Sequence, residues 1–255
     1  MSSPVLVPFH QDEPLAPDAI PMPGPGYRTV VPELPDGTVW ERLVALYREV
    51  AATVAAVEGT PVVLSGDCTV ALGTLAGVQR RGIDPAVVWF DAHGDVHTLE
   101  SSTSGYIGGM SLRLALGVHA DLMAEPLGLR PVAAERTVLV DARDLDPGER
   151  EYLSTAPVRH CGVDTITLPD GPVLLHIDVD VITAEEVPGL LHPVTGGPTR
   201  DAVLDAVRRV IATGRVVALD IACPWNPGEY PERADLLATL TGLLDTGAVA
   251  AAHDR

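Results

Sequence analysis

Metal-type ligands recur at every second position in Asp91, His93 and Asp95, straight after the uncharged run Val87-Val88-Trp89-Phe90, and a further imidazole follows at His97. Carboxylate and imidazole together suit Mn, Fe, Co or Zn better than Ca. Residues two apart leave an extended backbone on the same side, yet at about 3.3 Å per residue Asp91 to Asp95 would span about 13 Å. The chain therefore has to bend after Asp91 for the three to meet at one ion or a close pair, and Gly94 permits a bend there. A second apolar run, Val173-Leu174-Leu175-His176-Ile177, ends in Asp178 and Asp180, and a third, Val62-Val63-Leu64, ends in Ser65-Gly66-Asp67-Cys68. A single run of this kind is weak evidence, since acids at a strand end are as readily a solvated turn. Three in one chain describe neighbouring strands that empty their ligands into one crevice, on which Asp91, His93, Asp95, Asp178 and Asp180 are expected to converge.

Strands covered on both faces of a parallel sheet read as continuous Val, Ile, Leu and aromatic residues, and ligand sites gather beyond their carboxyl ends. The pattern predicts a helix from Trp40 to Val57 behind a turn and cap at Pro35-Asp36-Gly37-Thr38, then strand 62–66, helix 69–80 and strand 86–91. Thr98 to Gly109 reads as a loop over the ligands, followed by a helix to Leu116. A strand over 137–141, a helix from Pro147, a strand over 172–181, a helix from Arg200 to Thr213, a strand from Arg215 to Ile221 and a closing helix from Glu232 to Gly247 complete the chain. Alternating strands and helices predict a three-layer α/β/α fold with a mostly parallel sheet, and the absence of repeats or linkers predicts one domain over 1–255.

A 255-residue chain that is 46% hydrophobic can bury a generous core, and a formal charge of -18 argues against nucleic acid or an anionic membrane as a partner. Met1 to Phe9 lacks the cationic start of a signal peptide, and no apolar run is long enough to cross a bilayer. Cys68, Cys161 and Cys223 form no Cys-x-x-Cys pair, which excludes a zinc ribbon and fits a reducing compartment. A cytoplasmic protein is expected.

Gly66-Asp67-Cys68, Asp91-Ala92-His93-Gly94-Asp95, Asp178-Val179-Asp180 and Leu219-Asp220-Ile221 with Asn226-Pro227, in this order, resemble the signatures of the arginase/agmatinase (ureohydrolase) family. Arg143-Asp144-Leu145-Asp146-Pro147-Gly148-Glu149 resembles a segment that follows a middle strand in arginases, and the likeness runs from about residue 60 to 245. The resemblance implies an arginase-like fold and a hydrolase of linear C–N bonds acting on a small guanidino or related amino-acid-like compound. It also implies two divalent metal ions, Mn foremost with Zn, Co or Fe as alternatives, and a homo-oligomer, either trimer or hexamer. Carried over position by position, the metal ligands are Cys68, Asp91, His93, Asp95, Asp178 and Asp180. Metal binding lowers the pKa of water towards neutrality, and Asp95 or His97 then shuttles the proton. Ser104, Tyr106 and Asp146 match positions that contact the amino-acid end of the substrate, and His192 lies in a substrate-facing loop.

The departures from the family bear on both metal and substrate. Position 68 is His in most members. A thiolate is softer than imidazole and must first lose a proton, which shifts that site towards Zn or Fe or leaves it partly filled, although the helix that follows and the neighbouring metal would both favour the thiolate. A hydroxyguanidine-cleaving member of the family resembles this chain in carrying Cys there; the other reading makes Cys68 a small buried filler beside a single-metal site. The late motif, Asp220 to Pro227, is one residue longer than in the family and has no carboxylate between Asp220 and Asn226. The Glu that holds a guanidinium is thus missing, and burying a cation without an acid is costly. Either Glu100 serves instead or the substrate is neutral or differently charged. The third Asp of the Asp178 motif is also lost, and Gly105 to Gly109 lacks the family's relay histidine. His97 replaces it as proton carrier or only hydrogen-bonds within its loop. Asp146 equally suits a helix cap. His176, inside a strand, reads as a satisfied core residue, and His10, His119, His160 and His253 have no convergent partners in sequence. Two further functional readings stand beside the first: a hydrolase of a formimino, N-hydroxyguanidino or amide compound in secondary metabolism, and a non-catalytic relative that binds metal or metabolite.

Overall fold

The computed structural model describes residues 4–253 except 17, 23 and 229, with side chains as far as residue 244; the side chain of His253 lies outside the described residues. The chain opens with β1 (Val5–Val7) and a small antiparallel hairpin of β2 (Phe9–His10) and β3 (Glu13–Pro14), then reaches β4 (Arg28–Thr29). Pro8, which has no N–H to donate, separates β1 from β2. α1 (Val39–Ala55) begins at Thr38, whose hydroxyl accepts from the Glu41 N–H while the Glu41 carboxylate accepts from the Thr38 N–H.

β5 (Val62–Ser65) leads through a 3₁₀ turn, Cys68–Val70, into α2 (Ala71–Arg80), and β6 (Ala86–His93) leads through the 98–107 loop into α3 (Ser111–Ala115). The short α4 (Ala124–Leu127), β7 (Thr137–Asp144), α5 (Pro147–Thr155) and β8 (Arg159–Cys161) follow. β9 (Val173–Asp178), a 3₁₀ turn over Val179–Val181, α6 (Arg200–Ala212), β10 (Val216–Ala222) and α7 (Pro231–His253) complete the order.

Eight strands form one sheet in the order β4-β1-β5-β10-β9-β6-β7-β8, and every pairing is parallel. One face, with Val63, Val87, Trp89 and Leu174, packs on α1 and α2 through Leu43, Tyr47 and Leu72. The other, with Leu64, Phe90, Leu175 and Ile177, packs on α6 and α7 through Val203, Val207, Leu237 and Leu240. Burying each such side chain contributes about 1.5–3 kcal/mol, which explains why the middle strands carry no charge until their last residues. The expected three-layer α/β/α architecture is the one observed. Among the described residues no helix is long and apolar enough to cross a membrane.

β9 and β10 come late in the chain but insert between β5 and β6, so strand ends distant in sequence become neighbours. β6 runs two residues past Asp91, with a register shift against β7 between Asp91 and His93. β9 stops at Asp178, short of the expected 172–181, because the Asp178 carboxylate accepts from the Asp180 N–H and caps a turn.

Candidate metal centre

Cys68 opens the turn after β5, held there by Asp67, whose carboxylate accepts from the Thr69 N–H at 2.8 Å. Its Sγ lies 2.9 Å from Asp178 Oδ2 at the end of β9 and 3.9 Å from Asp91 Oδ2 on β6. His93 Nδ1 stands 3.1 Å from Asp180 Oδ2 and 3.3 Å from Asp91 Oδ1. The carboxylates are aimed by fixed N–H groups: Asp91 accepts from the Trp89 indole at 3.2 Å and the His93 amide at 2.7 Å, and Asp180 from the Ala92 amide at 3.1 Å. Ligand atoms of Asp91, His93 and Asp180 all lie within 4.8 Å of one another, and so do those of Cys68, Asp91 and His176. Donors around one ion at about 2.0–2.3 Å span that range, and Asp91 belongs to both groups.

Asp95 is buried at the same cavity, and its Oδ2 has no hydrogen-bond partner. An unpaired carboxylate oxygen among other ligands fits a divalent ion, as does the mixed carboxylate, imidazole and thiol set. The turn that brings Asp95 round corrects the expected role of Gly94. Asp95 itself takes the left-handed conformation, at φ 54°. Gly94 instead provides room, since a Cβ there would sit 2.7 Å from both Glu149 Oε1 and Leu145 Cδ2.

Electrostatically the cluster is short of positive charge. Burial pushes Asp178 well above the usual carboxylate range, and Asp180 and Asp91 push it further; Asp95 is raised by burial and by Asp91. Asp180 rises to about 6, through burial and Asp91. Burial opposes the charged form of His93, but hydrogen bonds and charge from Asp180 and Asp91 outweigh it and raise the imidazole to about 12, while His93 in turn holds Asp91 below its ordinary value against burial. Without a metal the helix that follows does not make Cys68 a thiolate by itself. Burial raises the thiol well above its usual value, Asp178, Asp95 and Asp91 raise it further, and it donates to Asp178. A cation placed here relieves all of these at once.

The cluster floors a cavity of about 410 Å³. His97 forms one wall, its Nε2 3.1 Å from Asp146 Oδ2 and its Nδ1 3.0 Å from the Ser101 hydroxyl. Asp146 sits at the start of α5, where its N–H donates to Glu149 Oε2, and Glu149 Oε1 accepts from the Val96 N–H. Opposite, the Tyr106 hydroxyl donates to Asp67 Oδ2 at 3.0 Å, and His192 lies 5.4 Å from the Tyr106 ring and 6.1 Å from His93. Ser104 lines the same cavity. Glu100 does not supply the missing acid: its side chain is 76% exposed and faces His119 at 3.5 Å.

Three neighbours of the cavity are not singled out by the motifs. Glu149 is legible afterwards as the acid three residues behind Asp146 at a helix start, and Asp67 as the residue before Cys68. His10 reaches Asp67 at 3.5 Å and stacks on Tyr106 only because the β2–β3 hairpin folds over the β5 end, for which no local signal exists. Arg143, at the end of β7, donates to the carbonyls of Val181 at 3.0 Å and Val194 at 2.8 Å, tying the Asp180 turn to the segment after His192.

The profile of the arginase family matches residues 30–228. The chain belongs to the arginase family. The arginase of Bacillus subtilis (strain 168) is 42% identical over 100 residues, covering 39% of this chain and 34% of that one. The N(omega)-hydroxy-L-arginine amidinohydrolase of Streptomyces lavendulae is 39% identical over 145 residues, 54% of this chain and 51% of that one. These curated relatives are thus matched over a third to a half of their length. The arginase of Bacillus caldovelox superposes over nearly the whole fold, with a TM-score of 0.79 at 25% identity, covering 96% of this chain and 98% of that one.

Proposed function

We propose that this arginase-family chain is a dinuclear metal-dependent amidinohydrolase that cleaves a linear C–N bond of an amino-acid-like guanidino compound. The observation that carries this reading is the pair of ligand groups sharing Asp91 at the floor of one cavity. Cys68, Asp91 and Asp178 would hold one ion, Asp91, His93 and Asp180 the other, and Asp95 either. Two divalent ions, Mn foremost, supply when bound the Lewis acidity that lowers the pKa of water and polarises a trigonal carbon. The protein's own groups do the rest. Asp95 or His97, the latter held by Asp146, shuttles the proton towards the cavity mouth. Asp146 and Glu149 face the ammonium end of the substrate, with Ser104, Tyr106 and His192 around the rim.

Among guanidino compounds the site favours an N-hydroxyguanidine. Among the described residues no carboxylate at the β10 end is available to hold a guanidinium, because Asp220 is fully buried and engaged by His176 and Thr74. The electron-withdrawing oxygen of an N-hydroxyguanidine makes it less basic, so it can enter neutral without that partner. The similarity to the Streptomyces lavendulae enzyme supports the same choice. The test is a screen of guanidino, N-hydroxyguanidino, formimino and acylamino compounds after Mn, Co or Zn loading. Release of hydroxyurea with the matching amine is expected, and stoichiometric binding without turnover would leave a metabolite-binding relative instead.

Two expectations belong to this reading. Cys68→His should bind Mn more tightly with the fold intact, because imidazole ligates when neutral whereas Mn pairs poorly with a thiolate. Unchanged Mn binding with a melting point lowered by several degrees would instead make Cys68 a filler. A homo-oligomer, trimer or hexamer, in the cytoplasm completes the proposal, and a monomer mass by light scattering at micromolar concentration would remove its oligomeric part.

A further inference from the structure

His176 is fully buried on β9, two residues before Asp178 and on the same face of the sheet. Its register partners are Trp89 on β6 and Asp220 on β10. Nδ1 lies 2.9 Å from Asp220 Oδ1, and Asp220 is held from behind by the Thr74 hydroxyl. Nε2 is buried without any partner. Leaving such a group without a partner is costly, and nearly all buried polar atoms in folded proteins avoid it. Satisfaction as a core residue therefore covers only half of this ring.

The carboxylate behind Nδ1 keeps the proton on that nitrogen and leaves a lone pair on Nε2, the tautomer that binds metals. A ring nitrogen of His176 lies within 4.8 Å of Cys68 Sγ and an Asp91 oxygen. Nδ1 is occupied on the β10 side and Asp91 stands on the opposite neighbour β6, so the nitrogen facing the cluster is Nε2. The ring cannot turn away, because the Trp89 indole stacks on it at 3.6 Å while donating to Asp91.

We infer that His176 is a ligand of the ion on the Cys68 side, bound through Nε2 and oriented by Asp220. That ion then meets a thiolate, an imidazole and carboxylates, a softer set than Asp91, His93 and Asp180 present to its neighbour, so the two positions differ in preference, the first towards Zn, Co or Fe and the second towards Mn. The arrangement rests on the dinuclear reading above and adds a donor to it.

X-ray absorption at the Zn edge of protein loaded with two equivalents tests this without any substitution. The inference requires one sulfur and two imidazoles for every two Zn, from Cys68, His93 and His176; one sulfur with a single imidazole overturns it. His176→Gln should weaken one of the two equivalents by at least about tenfold and leave the other unchanged, and Asp220→Asn should weaken the same one by about 10–100-fold, the cost of losing an outer carboxylate. Melting curves of the metal-free variants establish that each is folded. Two equivalents bound by His176→Gln with unchanged affinity would overturn the ligand assignment while the amidinohydrolase reading stands. Correct metal binding with no hydrolysis in the screen would reject the function and keep the ligand, and failure of the unmodified protein to bind a second ion would reject both.

Discussion

Asp178→Asn is expected to leave the metal-free protein as stable as the unmodified one and to remove the metal-dependent hydrolysis proposed for it. The carboxyl of Asp178 is buried and crowded by Asp180 and Asp91, which together favour its neutral form when no ion is present. Asparagine has nearly the shape of that protonated form. It can still accept from the Asp180 N–H through Oδ1, the contact that caps the turn after β9. What it cannot do is ionise beside a cation. Metal affinity should fall by more than the roughly 10–100-fold that outer partners of a metal ligand cost, because a charged donor is lost outright. Equilibrium dialysis of Mn or Zn and a melting curve without metal, run on both proteins, decide the matter. A metal-free melting point lowered by about 5 °C or more, about 1–2 kcal/mol for a chain of this size, would show that Asp178 is charged without metal and contradict the account.

The second large effect is a dependence of stability on pH that metal reverses. Asp95, Asp178 and Asp180 have folded-state values above their unfolded ones, and His93 does too. The folded metal-free protein therefore binds more protons than the unfolded chain, first above about pH 4 through the carboxyls and then above about pH 6.5 through His93. Stability under that condition falls as pH rises. Asp91, lowered by His93, acts in the opposite sense but only below its unfolded value near pH 4. The melting temperature of the metal-free protein should thus drop steadily between pH 5 and pH 8. Divalent metal should restore it most strongly at the alkaline end, where the ligands surrender protons readily. An ion present at a thousandfold excess over its Kd contributes about 4 kcal/mol, a rise of about 10 °C. Calorimetry with and without Mn at the two pH values checks this. A metal-free melting temperature that climbs with pH, or a metal gain equal at both values, would be incompatible with the buried charge described here.

The metal-type ligands were readable in the chain because an uncharged strand that stops at a carboxylate announces both its burial and its exit point. Asp91, His93, Asp178 and Asp180 all follow that rule, and Cys68 follows it at the end of β5. What escaped is non-local. The open nitrogen of His176 and the approach of His10 depend on which strands stand side by side, and β9 and β10 slip between β5 and β6 from far along the chain. Gly94 shows the limit of a local argument. Its flexibility suggested a bend, whereas the fold needs its missing side chain to admit Glu149. The thiol of Cys68 shows another: the helix behind it is visible in the residues, but the depth of its burial and the number of acids in reach are not, and these outweigh the helix.

Arg143 constrains how this chain can change over evolutionary time. By bonding the carbonyls of Val181 and Val194 together it fastens one rim of the cavity to the turn that carries Asp180. An insertion or deletion on that rim is transmitted to Asp180, a proposed metal ligand, and on that reading selection for a new substrate there is opposed by selection for metal binding. Among the described residues the segment from Ser102 to Gly105 carries no such tether. It closes on itself through Ser102, with Gly105 free to take a positive φ. New specificities in descendants of this chain should therefore arise by drift in that loop, with the opposite rim nearly frozen.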